Sequence, residues 1–291
     1  ETGPSSSWRS RPAKNGTGVL PVVVIPDAGT RRGDILDADD ITTIELVEDV
    51  EEAELAGASA AAVSGALGAQ LLLWEAATAV AGRLLGINPF DQPDVESAKE
   101  AARELLGQGA GSTAAPLFTD GDVEIRVLPE DGAGGEWIGS ATNLPDAVSA
   151  LLEQLDDKDG YVAVMAYLDR TEGGSGSDTA LPAVAPLLSR ATDRPVTFGW
   201  GPRFLHSTGQ YHKGGPDQGV YIQITDAVGA ETGSDDLAVP GREFTFGEFI
   251  AAQAGGDANV LGEHDRPVLR LHITGPGGRE AVIAALSRSE P

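Results

Sequence analysis

Two short stretches hold most of the residues that could do chemistry. The first runs from 82 to 99, GRLLGINPFDQPDVESAK, and brings Asp91, Gln92, Glu96 and Lys99 around a turn and a helix start. The second, 199–215, GWGPRFLHSTGQYHKGG, gathers Arg203, His206, Ser207, Thr208, Gln210, His212 and Lys213. Two of the chain's four histidines lie six residues apart there. Chemistry on hydroxyl groups near neutral pH needs a side chain that both gives and takes a proton, and imidazole does that. An H-x(5)-H pair also suits a metal, but no cysteine and no nearby carboxylate pair completes the set, so no metal is assigned. Each stretch has a plain alternative. Lys99 can be a solvated lysine on a helix flank, paired with Glu96. The second stretch can be a polar loop bonding its own backbone.

The elements that position these residues follow from local rules. Asn88 precedes Pro89 and is pushed out of the helical region, which ends the preceding helix. Pro93 suits the first turn of a new helix, and Asp91, Asp94 and Glu96 sit where the helix dipole favours anions. Val95, Ala98, Ala102 and Leu105 then recur at helical spacing to about residue 106. Upstream, 19–25 is a continuous apolar strand of the buried parallel kind and 44–47 a short strand. Segments 50–56 and 59–85 read as helices, with Ser59 as N-cap of the second. Segment 107–115, GQGAGSTAA, is a linker.

Beyond the linker, strands and helices alternate. Strands are expected at 123–128, 161–168, 196–200, 220–224 and 268–273. Helices are expected at 144–155 behind the cap residue Asn143, and at 181–191, 246–254 and 278–286. Alternation of this kind predicts an α/β fold, a parallel-rich sheet flanked by helices. The second stretch then follows a strand, at a carboxyl end, where open parallel sheets bind ligands. His264 and His272 read as structural, one in a polar loop and one in a strand.

The composition bounds the partners. The 291 residues carry a formal charge of −25, from 45 acidic against 20 basic side chains. Such a surface repels nucleic acid and anionic membranes, so neither is expected as a partner, and any phosphate site must be locally basic. There is no cysteine, which excludes disulfides and thiolate chemistry. The long apolar run at 59–85 is interrupted by Gln70, Glu75 and Arg83 and reads as a buried helix of a soluble protein, with the cytoplasm as the default location.

The spacing G-x-L-L-x(4)-F-D-Q-x-x-V-E-x-x-K resembles the C-terminal signature of glucose-6-phosphate isomerase. It covers Gly82, Leu84, Leu85, Phe90, Asp91, Gln92, Val95, Glu96 and Lys99, with Asp94 where the family has glycine. The run FLHSTGQYHKGG is similar to the last module of the longer bacterial members. The resemblance implies a SIS-type (sugar isomerase) fold and aldose–ketose isomerisation of glucose 6-phosphate and fructose 6-phosphate, with no cofactor. It implies Lys99 and His206, with His212 second, as the ring-opening groups. Gln92 is implied at the sugar phosphate, joined by Lys14, Gln210 and Arg203 as candidate substrate-binding residues. The family's base and phosphate loop belong to an N-terminal domain that this sequence does not contain. The expected organisation is a disordered or foreign segment at 1–14, the C-terminal part of a SIS-type domain at 15–106, the linker, and a second α/β portion at 116–291. Such a piece is expected to be inactive alone and homodimeric when complete. Two other readings remain: a non-catalytic sugar-phosphate-binding regulatory module on the same fold, and a purely structural partner subunit.

In the family the segment before the first strand reads roughly Glu-Ser-Thr-Gly-Lys, the glutamate being the base. Here the register reads Ser10-Arg11-Pro12-Ala13-Lys14. One codon choice for Trp8 to Lys14, TGG CGG AGT CGA CCG GCA AAG, read two bases later gives Ala-Glu-Ser-Thr-Gly-Lys. A frame slip therefore predicts that string in the gene. Sequencing the nucleotides through Trp8 tests it, and any other codon choice there removes the explanation.

Overall fold

The computed structural model describes residues 42–52, 60–88, 90, 103, 106, 115–128, 135–169, 181–226 and 236–288. The expected strand at 19–25, the segment 1–14 with Lys14, most of the signature including Gln92 and Lys99, and nearly all of the linker lie outside the described residues.

The first described unit is small. Strand β1 (Thr43–Leu46) pairs in parallel with β2 (Ala60–Val63), Thr43 opposite Ala60 and Leu46 opposite Val63. Helix α1 (Leu67–Leu85) follows. The helix expected from Ser59 therefore starts eight residues late. Pairing with β1 claims the backbone groups of 60–63, and Gly65, at φ 134°, turns the chain through a conformation other residues avoid. Of the helix expected at 50–56, the described part is one 3-10 turn, Val50–Glu52. α1 ends as apolar helices commonly do, on a left-handed glycine, Gly86, whose N–H reaches Gly82 O. The expectation of a buried helix fails for α1. Residues 71–80 are exposed throughout, Leu72 by 66% and Leu84 by 82%, and Gly82 is its one buried residue.

The second unit is a six-stranded sheet with helices on both faces. Its strands are β3 (Phe118–Asp120), β4 (Val123–Leu128), β5 (Tyr161–Tyr167), β6 (Val196–Trp200), β7 (Gly219–Asp226) and β8 (Val268–Ile273). Its helices are α2 (Leu144–Leu152), α3 (Val184–Thr192), α4 (Thr208–Gly214), α5 (Phe246–Glu263) and α6 (Gly278–Arg288). The order is β3-β4-β8-β7-β5-β6. β6, β5, β7 and β8 run parallel, while β4 and β3 close the far edge antiparallel. β5 is buried along its whole length, as a strand covered on both faces must be.

Alternation divides the core in two. Val162, Val164, Ile222 and Leu269 pack against α2, α3 and α6. Tyr161, Met165, Tyr167 and Tyr221 face the other way, against α5 and the segment after β6. The chain steps outward from β5 to β6, then returns past β5 to β7. The strand order thus reverses between β5 and β7, and the crevice at their carboxyl ends is the topological switch point where ligands of such sheets bind.

The expected strands and helices of this unit are all present, their ends within three residues except in α5; beyond them the structure adds β3, extends α5 and orders the stretch after β6. α5 continues through Gly255 and Gly256 to Glu263 rather than stopping at 254. Two helical glycines cost about 1 kcal/mol each, but residues 256–258 and 260–262 are buried, and packing at close range outweighs that cost. The start is fixed by a capping box, in which Thr245 Oγ1 accepts from Glu248 N while Thr245 N donates to Glu248 Oε2. The stretch after β6 is not a loop but a 3-10 turn, Arg203–His206, followed by α4.

Candidate functional site

The stretch 199–215 leaves the carboxyl end of β6 and folds back over the β5 side of the sheet. A Cβ on Gly201 would meet the Tyr167 ring within 2.5 Å, so only glycine lets the turn lie on that ring. Phe204 then stands edge-on to Tyr167, ring centres 5.6 Å apart. This seats the 3-10 turn beside the end of β5.

From there the polar residues separate into two groups. Arg203 and His206 are exposed on the 3-10 turn. Gln210 is half-buried and its Nε2 donates to Leu205 O at 2.8 Å, which ties α4 to that turn. His212 and Lys213 are buried, each 2% exposed. The structure thus brings Arg203 and His206 together at the surface and turns His212 inward, so the two candidate histidines occupy different environments.

Lys213 Nζ pairs with Asp257 Oδ1 of α5 at 2.5 Å. The other carboxylate oxygen, Oδ2, accepts from the Tyr167 hydroxyl at 3.2 Å. One carboxylate therefore joins α4, α5 and β5. A Cβ on Gly209 would stand 3.1 Å from Phe204 O and 3.4 Å from Lys213 Nζ, so the glycine lets α4 lie close against the turn before it. Burial raises the Tyr167 phenol well above its ordinary pKa, with the Asp257 charge adding to it, so it stays a donor.

His212 sits in an aromatic box, 5.4 Å from Tyr221, 6.0 Å from Tyr161 and 6.1 Å from Phe204 between ring centres. Neither ring nitrogen has a hydrogen-bond partner. Burial pushes its pKa down to about 3, with the charges of Lys213 and Arg266 adding to the effect. A neutral imidazole in this box is no proton carrier near neutral pH. Its carbonyl is used instead, accepting from the Tyr221 hydroxyl at 3.0 Å. Tyr221 has one proton, so the 2.7 Å contact between the two phenols runs from Tyr161 to Tyr221. Arg266 clamps the exit of α4, reaching Gly215 O at 2.9 Å, Pro216 O at 3.1 Å and Asp217 Oδ1 at 2.5 Å.

Beside Lys213 and Asp257, the same sheet face carries a second polar group. Gln223 of β7 accepts from Arg270 Nε at 2.7 Å and donates to Ala254 O at 2.9 Å. Thr225 Oγ1 lies 2.9 Å from His272 Nδ1. Arg126 Nη2 meets Glu124 Oε2 at 2.7 Å. Tyr167, Gln223, Asp257 and Arg270 were not among the sequence candidates. The signal was present for Arg270 and Arg126. V-L-R-L-H-I and V-E-I-R-V-L each alternate, which puts Arg270 with His272, and Glu124 with Arg126, on one face. His264 Nδ1 lies 3.1 Å from Lys213 O at the end of α5. Among the described residues no cluster of three or more His, Asp or Glu is placed to hold a metal ion, and no helix is long and apolar enough to cross a membrane.

Two outcomes are expected. Lys213→Met alone strands a buried carboxylate and costs about 3–5 kcal/mol in denaturant unfolding, while Lys213→Met with Asp257→Leu recovers most of the loss. Protonation of His212 governs the acid side. Its folded pKa lies below the 6.5 of the unfolded chain, so only the unfolded chain takes that proton between about 6.5 and 3. Its contribution is full above 6.5 and is lost as pH falls, by about 1.4 kcal/mol per pH unit. Unfolding measured from pH 7 to 4 shows this slope, and His212→Phe lowers it by one proton's worth.

No protein-family model matches the chain. A comparison with curated proteins finds no match either. Among solved structures, a hypothetical protein from Thermus thermophilus is similar, with a TM-score of 0.40 and 16% identity over 53% of this chain and 40% of that one. The chain therefore spans less than half the length of that protein.

Proposed function

We propose that the chain is the C-terminal part of a cytoplasmic glucose-6-phosphate isomerase of SIS-type fold, serving glycolysis and gluconeogenesis. It would interconvert glucose 6-phosphate and fructose 6-phosphate only with the N-terminal domain that supplies base and phosphate loop. In this reading Lys99 and His206 serve ring opening, and Gln92, Arg203 and Gln210 bind substrate. His212 is left as a packing residue.

The observation that carries the reading is α1. It is the helix that feeds the signature, and it presents Leu71, Leu72, Trp74, Val80 and Leu84 to solvent. A helix apolar on all sides belongs in an interior. Among the described residues, two parallel strands precede it, and parallel sheets are normally covered on both faces. In this reading the N-terminal domain of the family covers α1. The carboxyl-end position of His206 and Arg203 supports the second motif.

The test compares melting of the chain with glucose 6-phosphate and with inorganic phosphate at equal concentration. A sugar-specific site gives the sugar phosphate the larger shift. At tenfold Kd that shift is about 1.4 kcal/mol, or roughly 3 °C in Tm. Lys99→Ala and His206→Asn each remove the excess over phosphate. A glucose 6-phosphate shift no greater than that of phosphate overturns the reading.

A further inference from the structure

Lys213 and Asp257 are placed for more than an ion pair. Their side chains are 0% and 1% exposed, and Nζ lies 2.5 Å from Oδ1. Asp257 shares α5 with Ala254, Ala258 and Leu261, which belong to the apolar cluster that also holds Tyr167 and Phe204. A lysine ammonium has three donors to satisfy. Among the described residues Asp257 is the one partner of Lys213 Nζ, and Tyr167 is the one other partner of the carboxylate. Two charges held in this way recover little of what leaving water costs them. Moving one proton from Nζ to Oδ1 across the contact removes both charges at once and leaves an amine beside a carboxylic acid.

We propose that Lys213 and Asp257 condense to an amide cross-link between α4 and α5. The contact puts Nζ near the range, about 3–3.5 Å, from which a nucleophile attacks a carboxyl carbon. The Nζ lone pair forms the bond to Cγ, and the π electron pair moves onto Oδ2. The Tyr167 hydroxyl, 3.2 Å from Oδ2, donates to the charge that develops there, as an oxyanion-hole donor does. Burial, with the Asp257 charge adding to it, keeps that phenol protonated. Oδ1, already carrying the first proton from Nζ, takes a second and leaves as water while the Oδ2 pair re-forms the carbonyl. The nitrogen keeps its third hydrogen. The sum is ammonium plus carboxylate giving amide plus water, with no oxidant, reductant or outside reagent. Burial favours the product, because burying two charges costs more than burying one amide. The bond joins positions 44 residues apart in a chain with no cysteine, and removes freedom from the unfolded chain as a disulfide does. It draws on this interior pair alone and does not depend on the isomerase reading.

Mass spectrometry of the whole chain, unfolded and then digested with trypsin, tests it. The protein is lighter than its sequence by one water, and the digest holds a branched peptide that joins the Lys213 segment, uncut after Lys213, to the Asp257 segment. The digest decides, because an Asp-Gly step such as Asp159-Gly160 also loses water. Lys213→Arg keeps the charge, cannot form the bond, and lacks the branched peptide. Tyr167→Phe keeps the ring and removes the oxyanion donor. Sampled at intervals after synthesis, it forms the branched peptide about 100-fold more slowly. If Tyr167→Phe fails to fold, the digest of the unaltered chain decides. Unjoined Lys213 and Asp257 peptides from protein kept folded for days overturn the proposal, and an unchanged rate in a folded Tyr167→Phe overturns the part given to Tyr167.

Discussion

The second unit depends on one buried ion pair. Lys213 and Asp257 are 0% and 1% exposed at their side chains, and they meet where α4, α5 and β5 converge. Two charges taken out of water cost several kcal/mol each unless geometry and further hydrogen bonds offset the loss. The surroundings are built to do so. Tyr167 supplies the second bond to the carboxylate, and Ala254, Gly256 and Ala258, small and buried, let α5 come close to the sheet. The same constraint fixes the turn before α4, because Tyr167 is also the ring on which Gly201 and Phe204 rest. The surface position of Arg203 and His206 is thus a consequence of a contact made in the interior.

This explains which parts of the candidate site the sequence could convey. H-S-T-G-Q-Y-H-K looks like a line of equivalent polar residues. Helical spacing already separates them, for Gly209, His212 and Lys213 fall at i, i+3 and i+4 and share one face. The glycine on that face marks close packing, which argues that the histidine and lysine beside it are inside. What the sequence does not carry is the partner. Asp257 lies 44 residues on, in a helix whose glycine pair reads as a stop, and nothing local connects it to Lys213.

The strands were easier for a physical reason. Y-V-A-V-M-A-Y can only be covered on both faces, and the alternation of strand and helix then leaves few ways to arrange the sheet. The errors cluster where local preference and long-range pairing disagree. Ala60–Val63 has alanine-rich, helix-like composition, yet it pairs with β1 as a strand. α1 has the composition of a core helix and stands exposed, because its apolar surface was read without knowing what lies opposite it. Periodicity reports which faces of an element want cover. It says nothing about whether the cover is on the same chain.

Charge placement in the second unit runs against the composition of the chain. Across the whole chain, acidic residues outnumber basic ones by 45 to 20. Inside, the buried charged residues are mostly cations: Arg194, Lys213, Arg266 and Arg270 against Asp257. Arg266 is spent on backbone carbonyls and Asp217, and Lys213 on Asp257. Arg270 is held through Nε by an amide, beside a second arginine, on the strand next to the switch point.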